Sequence, residues 1–212
     1  EAVARGGGAV LEAITSSSIG DMEFLGGERF NTEHELQLLA KLSRASGLPV
    51  TFTTVQTPDH PEEWREILDF ASRENAQGAT LRPQVASRPI ALLSGLCGYH
   101  GFMHRRTYVE ELAKLPVRER AQRMRDPEIK QRVLSDADVM PAQAGAMEML
   151  SAGFQVAAAG FFSMPEGYDY EPTADLSLGA IAERENRDVL EVMYDYLTDH
   201  DGGWFLSLMG TN

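Results

Sequence analysis

Between residues 49 and 56 apolar and β-branched side chains follow one another almost without a break: Val50, Phe52 and Val55 stand among Thr51, Thr53 and Thr54. β-branched residues lose rotamer freedom in a helix and pack well on a pleated surface, so this run predicts a strand covered on both faces. From residue 62 to 77 the period changes. Trp64, Ile67, Leu68 and Ala71 recur at i, i+3, i+4 and i+7, Pro61 fits a first turn with Asp59 or His60 as the cap, and Gly78 follows the last turn. A second short strand follows over residues 79–85. Strand, crossover helix and strand in this order predict a βαβ unit and hence a parallel sheet.

Upstream, Arg5-Gly6-Gly7-Gly8 precedes a strand-like run over Ala9 to Ile14. Glycines before a strand read as a helix-to-strand turn, whereas a phosphate loop needs them after a strand and before a helix. A loop rich in Ser, Gly and Asp is expected over residues 15–31. Thr32-Glu33-His34-Glu35 has the capping-box spacing and opens a helix with Leu36, Leu39, Ala40 and Leu42 on its apolar side, ending near Gly47. These unit lengths suit either a (β/α) barrel or a doubly wound sheet.

After Val85 the rhythm breaks. Short helices are expected from Thr107, from Pro116 through Met124, and from Asp126-Pro127 through Leu134. Residues 86–138 thus read as a helical insert leaving the carboxyl end of a strand, where α/β enzymes build lids. A helix over 141–151, an apolar run over 154–162 and an acidic turn over 165–172 come next. Asp175 or Ser177 caps a helix to Asn186, and Asp188 opens another whose face carries Leu190, Met193, Tyr194 and Leu197. Gly202-Gly203 ends it, and Trp204 to Met209 reads as a fourth buried strand.

A chain of 212 residues, 43% hydrophobic and 24% charged, can bury a sizeable core. Its net charge of −13 opposes binding to phosphate backbones, so no nucleic-acid partner is expected. The single cysteine, Cys97, cannot form an internal disulfide; it is expected as a small buried residue, and a cytoplasmic setting follows. The longest apolar region, residues 146–162, contains Glu148, Gln155, Gly153 and Gly160, which excludes it as a bilayer span; no signal peptide is visible and no membrane association is expected. The start at Glu1 and the stop just after an apolar run lead us to expect a portion of a larger domain.

In parallel α/β folds ligands meet the carboxyl ends of strands. The polar residues there are Glu12, Gln56, Arg82, Gln84 and Asn212. Glu12 shares strand parity with Val10 and Ile14, and a carboxylate among apolar neighbours requires a partner. Gln56, Arg82 and Gln84 are candidate substrate-binding residues. Arg88 joins them because a guanidinium can take a carboxylate in a bidentate pair. His100, in the glycine- and aromatic-rich segment Gly98 to His104, is a candidate to cover the pocket. No H-x-H, H-E-x-x-H, G-x-S-x-G or C-x-x-C motif occurs. The catalytic residues are therefore left unassigned, and no metal ligand is assigned in this chain.

Several runs together resemble the amidohydrolase family 3 proteins, the N-acyl-D-amino-acid deacylases. They are the run 49–56, Trp64-Arg65, residues 79–90, Leu112 to Pro116 with Arg118-Glu119-Arg120, Arg125 to Glu128, Tyr170-Glu171-Pro172, Ile181 to Glu185 and Asp188 to Glu191. The resemblance implies a (β/α)8 TIM-type barrel of which residues 1–212 would be about strands four to seven, with the helical insert at 86–138. It implies hydrolysis of the amide bond of N-acyl-D-amino acids or related small amides by water activated on zinc or another divalent metal, with most metal ligands outside this chain. Where the family's deacylases carry a metal-binding histidine at the end of the fifth strand, this chain has Gln56 after Thr54-Val55. Two other readings stand beside it: a non-catalytic small-molecule-binding barrel, and another reaction of the superfamily such as cyclic amide ring opening.

Overall fold

The computed structural model describes residues 2–16, 32–56 and 60–211. Most of the loop expected over 15–31, the cap Asp59 and the strand-end Asn212 lie outside the described residues. The chain divides into two compact units, residues 1–90 with 210–212 and residues 91–209.

In the first unit, the short helix α1 (Ala2–Arg5) turns through the glycines into β1 (Leu11–Ala13). Then follow α2 (Thr32–Ser46), β2 (Val50–Thr53), α3 (Glu63–Ala76) and β3 (Leu81–Gln84). The strands form one parallel sheet in the order β1-β2-β3, with Leu11, Val50 and Leu81 in one register row and Ala13 beside Phe52. The βαβ expectation holds here for a local reason. Gly78, at φ +91°, ends α3 in a conformation that carries a steric cost for other L-residues, and the chain re-enters the sheet within a few residues.

One face of this sheet is the core. Val50, Phe52 and Leu81 are each 1% exposed and pack with Leu36, Leu39 and Ala40 of α2 and Ile67, Phe70 and Ala71 of α3. Burying each large side chain contributes about 1.5–3 kcal/mol, which far exceeds the propensity of these short elements. The helix faces differ by one or two positions from the periodic reading. Leu42 and Leu68 are exposed, while Ser43 and Phe70 take the buried places. Ser43 is a productive buried polar residue: its Oγ donates to Leu48 O at 2.9 Å and accepts from Thr80 N at 2.8 Å, tying the end of α2 to the approach to β3. The expected capping box is also replaced. Thr32 Oγ1 donates to Glu63 Oε1 at 2.6 Å and Glu35 Oε2 accepts from Ser16 N at 3.0 Å, so both side chains bond to other segments. The strand expected to be covered on both faces has one covered face, since Thr51 and Thr53 are only half-buried.

The second unit holds all but the first residue of β4 (Ile90–Ser94), a π-helical turn (Tyr108–Leu112), α4 (Val117–Met124), α5 (Pro127–Ser135), α6 (Ala146–Gly153), β5 (Phe161–Met164), α7 (Leu178–Glu185), α8 (Val189–Thr198) and all but the last two residues of β6 (Phe205–Thr211). Its sheet has the order β4-β6-β5, and β5 runs antiparallel to β6 with Phe161 opposite Leu208 and Met164 opposite Phe205. This overturns the expected run of four barrel strands. Residues 204–209 do not add a fourth parallel strand to β1-β2-β3; they form the middle of a separate sheet. An apolar run specifies a buried strand but carries no record of which strand it pairs with, and that is where the barrel reading failed. Residues 91–138, read as part of an insert, pack with later helices in one core through Leu96, Phe102, Tyr108, Leu112, Met124 and Tyr194.

Helix starts in this unit follow the sequence closely. Asp126 caps α5 by accepting from Glu128 N at 2.9 Å and Ile129 N at 3.3 Å with Pro127 in the first turn, Ser177 caps α7, and Asp188 caps α8. Asn186 ends α7 in the left-handed region at φ 51°. Asp126→Ala is expected to cost about 1 kcal/mol, read as a lower urea midpoint at unchanged slope.

Two side chains organise this core. Arg120 Nη1 donates to Leu96 O and Tyr108 Oη, both at 2.7 Å, and Nη2 donates to Ala113 O at 3.0 Å and Leu115 O at 2.9 Å. Tyr194, fully buried, donates to Met124 O at 2.8 Å and meets Phe102 edge to face at 5.3 Å. Leu96 itself is 0% exposed, yet its neighbour Cys97 is exposed, contrary to the expectation of a buried thiol. The turn closed by Gly98 N donating to Gly95 O at 3.0 Å drives Leu96 inward and leaves Cys97 outside.

Candidate functional site

The face of the parallel sheet opposite its core carries the polar residues. Side chains alternate across a strand, so burying Leu11, Ala13, Val50, Phe52 and Leu81 places Glu12, Thr51, Thr53, Arg82 and Gln84 on the other side. The register sets them in rows: Glu12 beside Thr51 beside Arg82, and Thr53 beside Gln84. Glu12, Arg82 and Gln84 are exposed. The hydroxyl oxygen of Thr51, in the middle of the first row, is buried and has no hydrogen-bond partner among the described residues.

The strand that presents Arg82 is held from both sides. Asn75 of α3 accepts from Leu81 N at 2.6 Å and donates to Leu81 O at 3.1 Å, and Thr54 N donates to Gln84 O at 2.8 Å. Rigid support of this kind is what a recognition side chain needs. Arg82 itself donates from Nη1 to Leu81 O at 3.1 Å, back onto its own strand.

Of the residues singled out from the sequence, the sheet brings Arg82 and Gln84 together two positions apart on β3. Gln56 is exposed past the end of β2, where its Nε2 donates to Pro61 O at 3.2 Å. Arg88 is exposed on a bend beyond β3, where it makes an interaction of its own. His100 belongs to the second unit and is 0% exposed. Its Nδ1 accepts from Phe102 N at 3.3 Å, its ring meets Tyr108 edge to face at 4.7 Å, and Nε2 is buried without a partner. Burial, then the nearby positive charges of Arg120 and His104, pushes its pKa down to about 3. A neutral imidazole packed this way is a core residue, and the expected pocket-covering role does not suit its position. His104 is likewise buried, with Nε2 at 3.0 Å from both Glu148 O and Ser151 Oγ.

Sequence reasoning missed Thr51 and Thr53 and treated Glu12 alone. Their common parity was legible, but the row depends on register, which only the paired strands define. Glu12 is exposed, as are Val10 and Ile14, so its carboxylate bears no burial cost of the kind expected. Among the described residues no three His, Cys, Asp or Glu side chains are grouped to hold a metal ion, and Glu12 has a threonine and then an arginine as row neighbours. These residues do not make a divalent-metal site. No helix among the described residues is long and apolar enough to cross a membrane. No family model, curated protein or solved structure matches the chain.

Proposed function

We propose that this protein hydrolyses the amide bond of N-acyl-amino acids or related small amides, and that the sheet face of the first unit recognises the substrate. The observation that carries this reading is the placement of Arg82 and Gln84 on one exposed face of β3. Two residues along a strand separate them by about 6.6 Å. A planar guanidinium matches a carboxylate, and a primary amide both donates to and accepts from another amide, so the pair reads the two polar ends of a small acyl-amino acid. The resemblance to the deacylases supplies the reaction class. Thr53, beside Gln84, adds a hydroxyl to the amide end.

The test is hydrolysis of a panel of N-acyl-D- and N-acyl-L-amino acids by the full-length protein, with and without chelator. Cleavage is expected for at least one member, with loss on chelation if a divalent metal activates the water. Arg82→Lys is expected to raise KM at least about tenfold for carboxylate-bearing substrates, because lysine cannot reproduce the fork, with little change for the matching amide that lacks the carboxylate. Absence of cleavage across the panel overturns the reading. Saturable binding without turnover would instead favour a non-catalytic binding protein.

A further inference from the structure

The second unit carries a strained turn that is held by charge. Between α8 and β6, His200 (φ 46°, ψ 42°), Asp201 (φ 56°, ψ 30°) and Gly202 (φ 74°) stand in succession in the left-handed region. L-residues visit that region singly, and a run of them persists only where its surroundings over-determine it. Three contacts do so here. Gly202 is packed so closely that a Cβ would come within 2.9 Å of Leu96 and 3.2 Å of Val117 and Ala121. The His200 ring stacks on Trp204 with centroids 3.5 Å apart. The Asp201 carboxylate bridges two guanidiniums, with Oδ2 at 2.9 Å from Arg118 Nε and Oδ1 at 3.1 Å from Arg125 Nη2. Such a bridge has the form of an oxyanion site with its own occupant in place. Arg125 is fixed apart from Asp201, since its Nε and Nη2 donate to Thr198 O at 3.0 and 2.7 Å. Arg118, its side chain 77% exposed, keeps both Nη atoms without a hydrogen bond among the described residues. The local charge suits an anion as well: residues 105–132 hold nine of the chain's 19 Lys and Arg against five Asp and Glu, in a chain of net charge −13.

We propose that Arg118 and Arg125 bind a phosphate-type dianion, and that Asp201 is the built-in competitor that occupies the site in its absence. A tetrahedral dianion brings the pair a second charge and a further acceptor oxygen. Displacing Asp201 also releases the turn from its left-handed backbone, so relief of strain favours the ligand over the carboxylate. The released turn carries Trp204 off the His200 ring. Occupancy is thereby coupled to the connection into β6, the middle strand of the second sheet. The site lies wholly in the second unit and does not rest on the reading of the first unit's sheet as a substrate face.

The probes are inorganic phosphate and methyl phosphate, titrated into the full-length protein at neutral pH with sodium chloride at matched ionic strength as the control. The chain has two tryptophans, so a Trp64→Phe background makes the emission report Trp204 alone. Phosphate is expected to change that emission saturably where chloride does not, and the tighter of the two probes tells a free anion from a phosphorylated group. Asp201→Asn retains a residue type that tolerates the left-handed region while removing the competing charge, and calorimetry is expected to show phosphate bound at least about tenfold more tightly. Arg118→Gln is expected to weaken phosphate at least about tenfold. Circular dichroism verifies that both variants fold. No saturable response to either phosphate overturns the site. Affinity unchanged in Arg118→Gln also overturns it, by marking the ion as adventitious, and affinity that does not rise in Asp201→Asn shows that the carboxylate is no competitor.

Discussion

Replacing Arg120 by methionine is expected to destabilise residues 91–209 by about 3 kcal/mol, a fall of roughly ten degrees in the melting midpoint. The apolar stem survives that change, so the loss isolates the guanidinium. Its two terminal nitrogens bond four acceptors, and two of these, Leu96 O and Tyr108 Oη, belong to buried residues. Leaving a buried acceptor unpaired costs about 1–3 kcal/mol, whereas Ala113 O and Leu115 O recover part of theirs from water. Glu62→Ala is a useful contrast. It breaks the pair with Arg65, whose side chains are 61% and 69% exposed, and a change below about 0.5 kcal/mol is expected. If Arg120→Met falls in that same small range, the guanidinium does not hold this core together.

The second large effect is acid sensitivity from His100. An imidazole whose folded-state pKa lies near 3 stays neutral in the native protein while the unfolded chain takes up a proton below its ordinary value of 6.5. The unfolded state therefore binds more protons throughout the window from 6.5 down to about 3, and stability falls as pH falls through it. The slope approaches about 1.4 kcal/mol per pH unit below the unfolded pKa, so roughly 2 kcal/mol is lost between pH 6.5 and 4.5. Denaturant titrations followed by Trp204, which lies in the same unit, measure the slope directly. His100→Phe keeps the ring and the contact with Tyr108 but cannot titrate. Its stability should decline with acid by about one proton less than the parent does, whatever its absolute value at pH 7. Parallel pH profiles for the two proteins would show that His100 does not titrate as its burial requires.

What the sequence allowed and what it did not divide along the range of the interactions involved. Gly78 after α3, Pro127 behind Asp126, and Ser177 ahead of α7 act within one turn, and each element they bound was expected where it occurs. Helix faces were less secure. Ser43 displaced Leu42 from the core because its hydroxyl bonds Leu48 and Thr80, an arrangement invisible to a hydrophobic period. Strand pairing was the least legible. β4 (Ile90–Ser94) was not expected at all, and its sheet neighbour β6 lies more than a hundred residues further along the chain. For the same reason the polar residues of β3 were legible as candidates, while the row joining Arg82 to Thr51 and Glu12 was not. Cys97, expected inside, lies outside because the tight turn at Gly95–Gly98 points Leu96 inward instead, and His100, expected to cover a pocket, is packed into the core.

That turn has a practical use. Cys97 is the only thiol in the chain and it is exposed, one residue from Leu96, whose carbonyl is held by Arg120. A maleimide dye attached there would carry a single label per molecule without any engineered cysteine. It would sit on the short segment that moves when the guanidinium lets go, so its emission would report the loosening of the second unit separately from the sheet that carries Arg82.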